Sequence, residues 1–286
     1  MNKQFFVDAA AAHRLLLQGY KVIAVGNQQE FDFQQAHLPG ASYFDTSEIE
    51  SVENGWNILP AQQCQQAFIK KGITANTPVM IYSSNLNAAC RVAFVAYWLG
   101  INQIKILEDG LQSWVYPLEQ GPCEVKIVKN FGARVHRRPE ILISTSEDLL
   151  QAKARNPKLI LASVRSWEEY NGATSNYSYI DQAGEPEGAI FTPASCGKDD
   201  VADLLTADHR LKPLSEISQT WQAAGLNPGK EIVFYCGTGW RASTAFFVAK
   251  ELVWPQVRLF DGGWYDWSKK HAKNPEKFPL KRLFRP

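Results

Sequence analysis

The chain repeats itself, and this repeat constrains its fold more than any other feature. Tyr82 is matched by Tyr235, Ala89 by Ala242, Gly110 by Gly263 and Trp114 by Trp267, each pair 153 positions apart. Phe94-Val95-Ala96 and Phe247-Val248-Ala249 keep that register, as do Gly72-Ile73 and Gly225-Leu226. Upstream, the segment His37 to Ala41 matches Glu185 to Ala189 at a spacing of 148. A period this long marks a duplicated domain rather than a short-repeat solenoid. The 286 residues suffice for two domains, each with its own core.

Each copy has the same layout. Lys21 to Val25 and Leu159 to Leu161 are short apolar runs of the kind that form buried parallel strands. Pro78 to Tyr82 and Glu231 to Tyr235 are the next such runs. Each precedes a helical stretch, about Ala88 to Leu99 and Ala242 to Leu252. Gln103 to Leu107 and Gln256 to Phe260 then read as further strands. Strand, helix and strand in this order predict a parallel sheet packed against helices. Between the copies, 119–139 contains Gly121, Pro122, Gly132 and Pro139 and reads as a linker. Its basic cluster, Arg134 to Arg138, reads as a solvated or interdomain strap rather than a binding patch.

Thirty basic and 29 acidic residues leave a net charge of +1. Such a balance does not argue for a nucleic-acid partner, which usually wants a concentrated basic face, and no apolar run reaches the roughly 18–20 residues of a membrane helix. Met1 to Leu17 lacks the apolar centre of a secretory signal. The expected location is the cytoplasm, or the periplasm if a signal has been removed. Cys64, Cys90, Cys123, Cys196 and Cys236 are odd in number and irregularly spaced, which fits neither a disulfide framework nor a zinc site. No metal or organic cofactor is expected.

The segment Cys236-Gly237-Thr238-Gly239-Trp240-Arg241 joins a strand to a helix. In a parallel sheet, ligands bind at the carboxyl ends of strands. Gly237 and Gly239 let the backbone curl so that its N–H groups converge as an anion nest. The helix terminus adds a partial positive charge, and Arg241 a full one. A cysteine in that field is expected to ionise readily. Lowering a thiol from about 8.5 to about 7 requires only about 2 kcal/mol. The thiolate could attack an activated sulfur, and the nest would hold the resulting persulfide. The other four cysteines read as packing.

Two other chemistries share parts of this loop. Gly237-Thr238-Gly239-Trp240-Arg241-Ala242 satisfies a dinucleotide fingerprint, with Asp261 ending the next strand. The matching segment of the first copy, Ser83 to Ala88, has no glycine, which weakens that reading. A cysteine phosphatase needs five residues between cysteine and arginine, and here there are four. The shorter loop makes a smaller cradle, suited to sulfur rather than to a phosphate tetrahedron.

The chain resembles the tandem-domain rhodanese family of thiosulfate and 3-mercaptopyruvate sulfurtransferases, and comes nearest to a bacterial thiosulfate-type subgroup. The resemblance rests on His37 to Asp45, on Leu259 to Trp267 and most specifically on Cys236 to Arg241. It implies an α/β fold of two rhodanese-like domains, each a mostly parallel sheet with helices on both faces. The expected bounds are 1–120 for a catalytically silent domain, 121–139 for the linker and 140–286 for the domain carrying Cys236. Ser83 takes the cysteine's place in the first copy. The implied activity moves sulfane sulfur from thiosulfate or a similar anionic donor to cyanide, a thiol or an acceptor protein. A persulfide carrier in a protein relay is the alternative, and a scaffold with no active domain is a third reading. Gly237, Thr238, Gly239, Trp240 and Arg241 would form the persulfide-binding loop, with Arg165 a candidate substrate contact.

The chain departs from the family at several positions. The usual histidine of the second domain is Glu185, and the arginine with which mercaptopyruvate enzymes anchor a carboxylate is Glu169. Two basic residues common early in the loop of mitochondrial-type thiosulfate enzymes are absent, and Arg241 is expected to substitute for them.

Overall fold

The computed structural model describes residues 4–132, 137–197 and 200–281. The chain divides into two units, one of Met1–Asn54 and Ile58–Pro139, the other of Gly55–Asn57 and Glu140–Pro286. The first holds β1 (Phe6–Val7), α1 (Ala9–Leu17), β2 (Lys21–Gly26), α2 (Glu30–Gln35), β3 (Ala41–Asp45), α3 (Ala61–Lys70), β4 (Val79–Tyr82), α4 (Leu86–Trp98) and β5 (Ile104–Leu107). The second holds β6 (Leu142–Ile143), α5 (Ser146–Arg155), β7 (Ile160–Ser163), α6 (Trp167–Tyr170), β8 (Ala189–Phe191), α7 (Leu214–Ala223), β9 (Ile232–Tyr235), α8 (Trp240–Glu251), β10 (Val257–Phe260) and α9 (Gly263–Lys273).

The two sheets have the same topology. Their orders are β1-β5-β4-β2-β3 and β6-β10-β9-β7-β8, and every pairing is parallel. In the first sheet the chain steps from β2 to β3 in one direction and from β4 to β5 in the other. Right-handed crossovers then put α2 and α4 on opposite faces. Covered on both sides, the central strands need apolar residues at every position, and β4 and β9 are buried throughout. Successive side chains serve opposite faces: Val22, Ala24, Met80 and Tyr82 join Phe33 and Leu38 in one cluster. Leu161, Val233 and Tyr235 join Phe260, Trp264 and Trp267 in its counterpart.

Part of the expected linker packs onto the first unit. Phe131 is only 3% exposed, its carbonyl accepts from Ala75 N at 2.8 Å, and Val128 N donates to Ile69 O at 3.3 Å. A buried aromatic ring and backbone hydrogen bonds thus bind this Gly- and Pro-bearing stretch to the first unit. The basic cluster falls partly on 133–136, outside the described residues. Among the described residues, no helix is long and apolar enough to cross a membrane.

Candidate active site

Cys236 directly follows β9 and α8 begins at Trp240, so the expected loop is a strand-to-helix turn. Gly239 is the N-cap residue, with φ +93°, and provides no side-chain cap. That left-handed backbone favours glycine. Gly237 is required for a different reason: a Cβ there would lie 2.3 Å from Cζ of Tyr177. The phenol ring therefore lies against bare backbone.

The opposite edge of the loop is fastened to α9. Trp264 N donates to Cys236 O at 2.8 Å, and Tyr265 N to Gly237 O at 3.1 Å. A trans peptide carries its N–H opposite its C=O. The N–H groups of Gly237 and Thr238 therefore point away from α9. Among the described residues, the N–H groups of Gly237, Thr238 and Gly239 have no hydrogen-bond partner. Gly263, with φ +55°, permits this docking, because a Cβ there would meet Gly237 O at 2.4 Å. The Cys236 thiol is 1% exposed at the base of the turn, Thr238 is buried, and Trp240 is half-buried.

Both arginines named from the sequence are buried and paired. Arg241 forms a two-pronged ion pair with Glu169, with Nη1 to Oε2 at 2.7 Å and Nη2 to Oε1 at 3.0 Å. Nη1 also donates to Ser195 Oγ at 2.9 Å and Gly197 O at 2.7 Å, and Nη2 donates to the Tyr177 hydroxyl. Arg165 donates from Nη1 to Gly184 O at 2.6 Å and Glu185 Oε2 at 2.8 Å, and its Nε lies 3.5 Å from Glu169 Oε1. Its guanidinium sits 4.9 Å from the Trp264 ring centroid. Glu169 also closes the capping box of α6, accepting from Ser166 N at 2.7 Å. Two of the departures from the family pattern, Glu169 and Glu185, are therefore the counterions of the two arginines.

The titration of this cluster follows from burial and charge. Burial pushes Glu185 up to about 7, partly offset by Arg165. Burial acts the same way on Glu169, but Arg241 and Arg165 outweigh it and hold the carboxylate below its ordinary value. Burial opposes the charge on Arg241, but Tyr177 and Glu169 prevail and raise its pKa. Burial raises the Tyr177 phenol, with Arg241 opposing and the Cys236 and Glu169 charges adding to the rise. The sulfur is thus close enough to act electrostatically on both Tyr177 and Arg241.

Tyr177, Ser195 and Gly197 went unnamed from the sequence. They lie in irregular segments between α6 and α7, where no periodicity or motif singles them out. His37 in the first unit is 2% exposed, with Nδ1 2.9 Å from Phe33 O and its ring stacked on Phe33 at 4.1 Å.

The rhodanese-like domain family matches twice, over residues 9–116 and 146–270. The thiosulfate sulfurtransferase YnjE of Escherichia coli is 37% identical over 246 residues. That match takes in 84% of this chain and 55% of the relative, so the chain spans little more than half the length of YnjE. The sulfur carrier protein TtuD of Thermus thermophilus is 25% identical over 242 residues, 82% of this chain and 84% of that one. A structure of EanB with a cysteine persulfide, in a tetrahedral intermediate state with ergothioneine, superposes with TM-score 0.90 at 28% identity. It covers 99% of this chain and 71% of that one.

Proposed function

The chain belongs to the rhodanese-like domain family, and from that premise we propose that it is a sulfurtransferase working through a persulfide on Cys236. The observation that carries this reading is the fastening of the Cys236 and Gly237 carbonyls to α9, which turns the following N–H groups away from that helix and leaves them without protein partners among the described residues.

The reaction is a double displacement. The Cys236 thiolate attacks the outer sulfur of thiosulfate, the S–S bond breaks, and sulfite leaves with the bonding pair. The product is an enzyme persulfide with its negative charge on the outer sulfur. The N–H groups of Gly237, Thr238 and Gly239 and the first turn of α8 stabilise that charge. An acceptor such as cyanide or a thiolate then attacks the outer sulfur, and the Cys236 thiolate is released. Trp240 supplies a wall of the site.

Arg241 and Arg165 act as positioning residues in this scheme. Glu169 and Glu185 meet their charge, so binding of an anionic donor rests mainly on the loop amides. This compensated cluster also supports a second reading, in which the sulfur is exchanged with a protein in a relay. In keeping with it, TtuD is named a sulfur carrier.

Steady-state cyanolysis tests the proposal. Parallel double-reciprocal lines for varied thiosulfate and cyanide are expected of a persulfide intermediate. Intersecting lines would count against it. Slow turnover with thiosulfate, beside rapid transfer from a cysteine desulfurase, would favour the relay.

A further inference from the structure

The first unit has a cavity of its own. It measures about 430 Å3 and opens at the carboxyl ends of β2 and β4, a size within the roughly 300–1,000 Å3 of small-molecule sites. β2 and β4 are neighbours whose onward connections run in opposite directions. This is the switch point at which open parallel sheets bind ligands. Ser83, at the position matching Cys236, lies on the lining, so the corresponding place in this unit carries no thiol.

The lining is acidic and aromatic. It contains Asp32 and Asp109 but no lysine, arginine or histidine, and the rings of Phe33, Tyr43 and Tyr82 contribute to it. Asp109 is 8% exposed. Its Oδ2 accepts from the Ser113 hydroxyl, and its Oδ1 has no partner. A buried carboxylate oxygen left this way is an acceptor awaiting a donor. The Tyr43 hydroxyl donates to Asp45 Oδ2 at 2.9 Å, and the Tyr82 hydroxyl accepts from Leu38 N at 3.1 Å. Gly26 keeps the Tyr43 ring close to β2, since a Cβ there would meet that ring at 2.9 Å. Beside the neutral side chains of Gln29, Ser83, Ser84 and Gln112, the lining offers a carboxylate acceptor and the electron-rich faces of aromatic rings. The carboxylate and the ring faces both attract a cation.

We propose that this cavity binds a small organic ammonium ion with an apolar or aromatic body, its N–H groups directed to Asp109 and its charge shared with Asp32 at the exposed rim. The site is independent of sulfur transfer at Cys236.

Calorimetric titration of the protein with phenethylammonium, phenylacetate and 2-phenylethanol tests the assignment. Phenethylammonium is expected to bind once per chain, at least about tenfold more tightly than either isostere. Asp109→Asn is expected to weaken it about tenfold while leaving cyanolysis unchanged, and Asp32→Asn about threefold. Asp32 is exposed, so the second variant keeps the test available should Asp109→Asn fail to fold. Equal binding of the anion or the alcohol would overturn the assignment. So would unchanged affinity in both folded variants, or in Asp32→Asn where Asp109→Asn does not fold, and so would no binding of any of the three at millimolar concentration.

Discussion

After β4 the chain runs through Ser83, Ser84 and Asn85 into α4; after β9 it runs through Cys236, Gly237, Thr238 and Gly239 into α8. Both turns rest on a glycine at matching positions. A Cβ on Gly110 would meet Ser83 O at 2.4 Å, and one on Gly263 would meet Gly237 O at 2.4 Å. They differ in how the helix start is completed. Asn85 caps α4 with its side chain, accepting from Asn87 N at 2.9 Å. Gly239 gives α8 no such cap. The first copy satisfies part of its own helix terminus, and the second leaves its terminus without a side-chain cap. Charge diverges as well: two buried arginines with glutamate partners lie near Cys236, whereas the lining at Ser83 has carboxylates and no base. One scaffold thus carries two different charge environments at matching strand ends.

The largest expected effect is at the nucleophile. Cys236→Ser should lower cyanolysis by at least about a thousandfold. Adding Ser83→Cys to that variant should restore none of it, because a capped helix and a glycine-free loop leave no amide nest. Turnover from the double variant, measured under the same conditions, would break the comparison.

Next comes the ion-pair cluster. Glu169→Gln leaves Arg241 buried with a weaker partner, and urea unfolding should show a loss of about 3–5 kcal/mol. A change within about 0.5 kcal/mol would mean that the arginine reaches solvent.

Glu185 gives the cluster a pH dependence. Its carboxyl is raised from an ordinary 4.5 to about 7 by burial. The folded state therefore holds the proton more tightly than the unfolded chain does. That stabilisation is complete below about pH 4.5 and is lost as pH rises through about 7. Integrated over the shift, it amounts to at most about 3 kcal/mol. Unfolding measured across this window should show the loss in the native chain and a flatter profile in Glu185→Gln. Equal slopes would remove Glu185 from the account.

The smallest effect concerns the loop backbone. Gly237→Ala drives a methyl group into Tyr177 and should cost about 1–3 kcal/mol, with at least a tenfold loss of cyanolysis. The matching change in the first copy, Ser84→Ala, falls at an exposed position and should stay within about 0.5 kcal/mol. Similar costs at the two positions would show that the loops are packed alike.

Much of this difference was legible in the chain itself. The 153-residue register located paired strands, because a duplication repeats its apolar runs at one spacing, and the glycines at 237 and 239 marked a curled backbone, because glycine spacing is a local signal. Helix α8 nevertheless starts about two residues before the expected position, since a positive φ at Gly239 lets the helix begin without a side-chain cap. Tyr177, Ser195 and the pairing role of Glu169 are tertiary facts. Residues 72 and 46 positions from Arg241 meet it only after the sheet is assembled, and nothing local in the sequence announces them. Phe131 is a similar case, an apolar residue in a segment whose glycine and proline content resembles a linker.

Intact-protein and peptide mass spectrometry after incubation with thiosulfate tests the central claim most directly. The account predicts a gain of one sulfur atom on Cys236 alone, removed by cyanide and absent from Cys236→Ser. An unmodified Cys236, or the extra sulfur on another of the five cysteines, would contradict it.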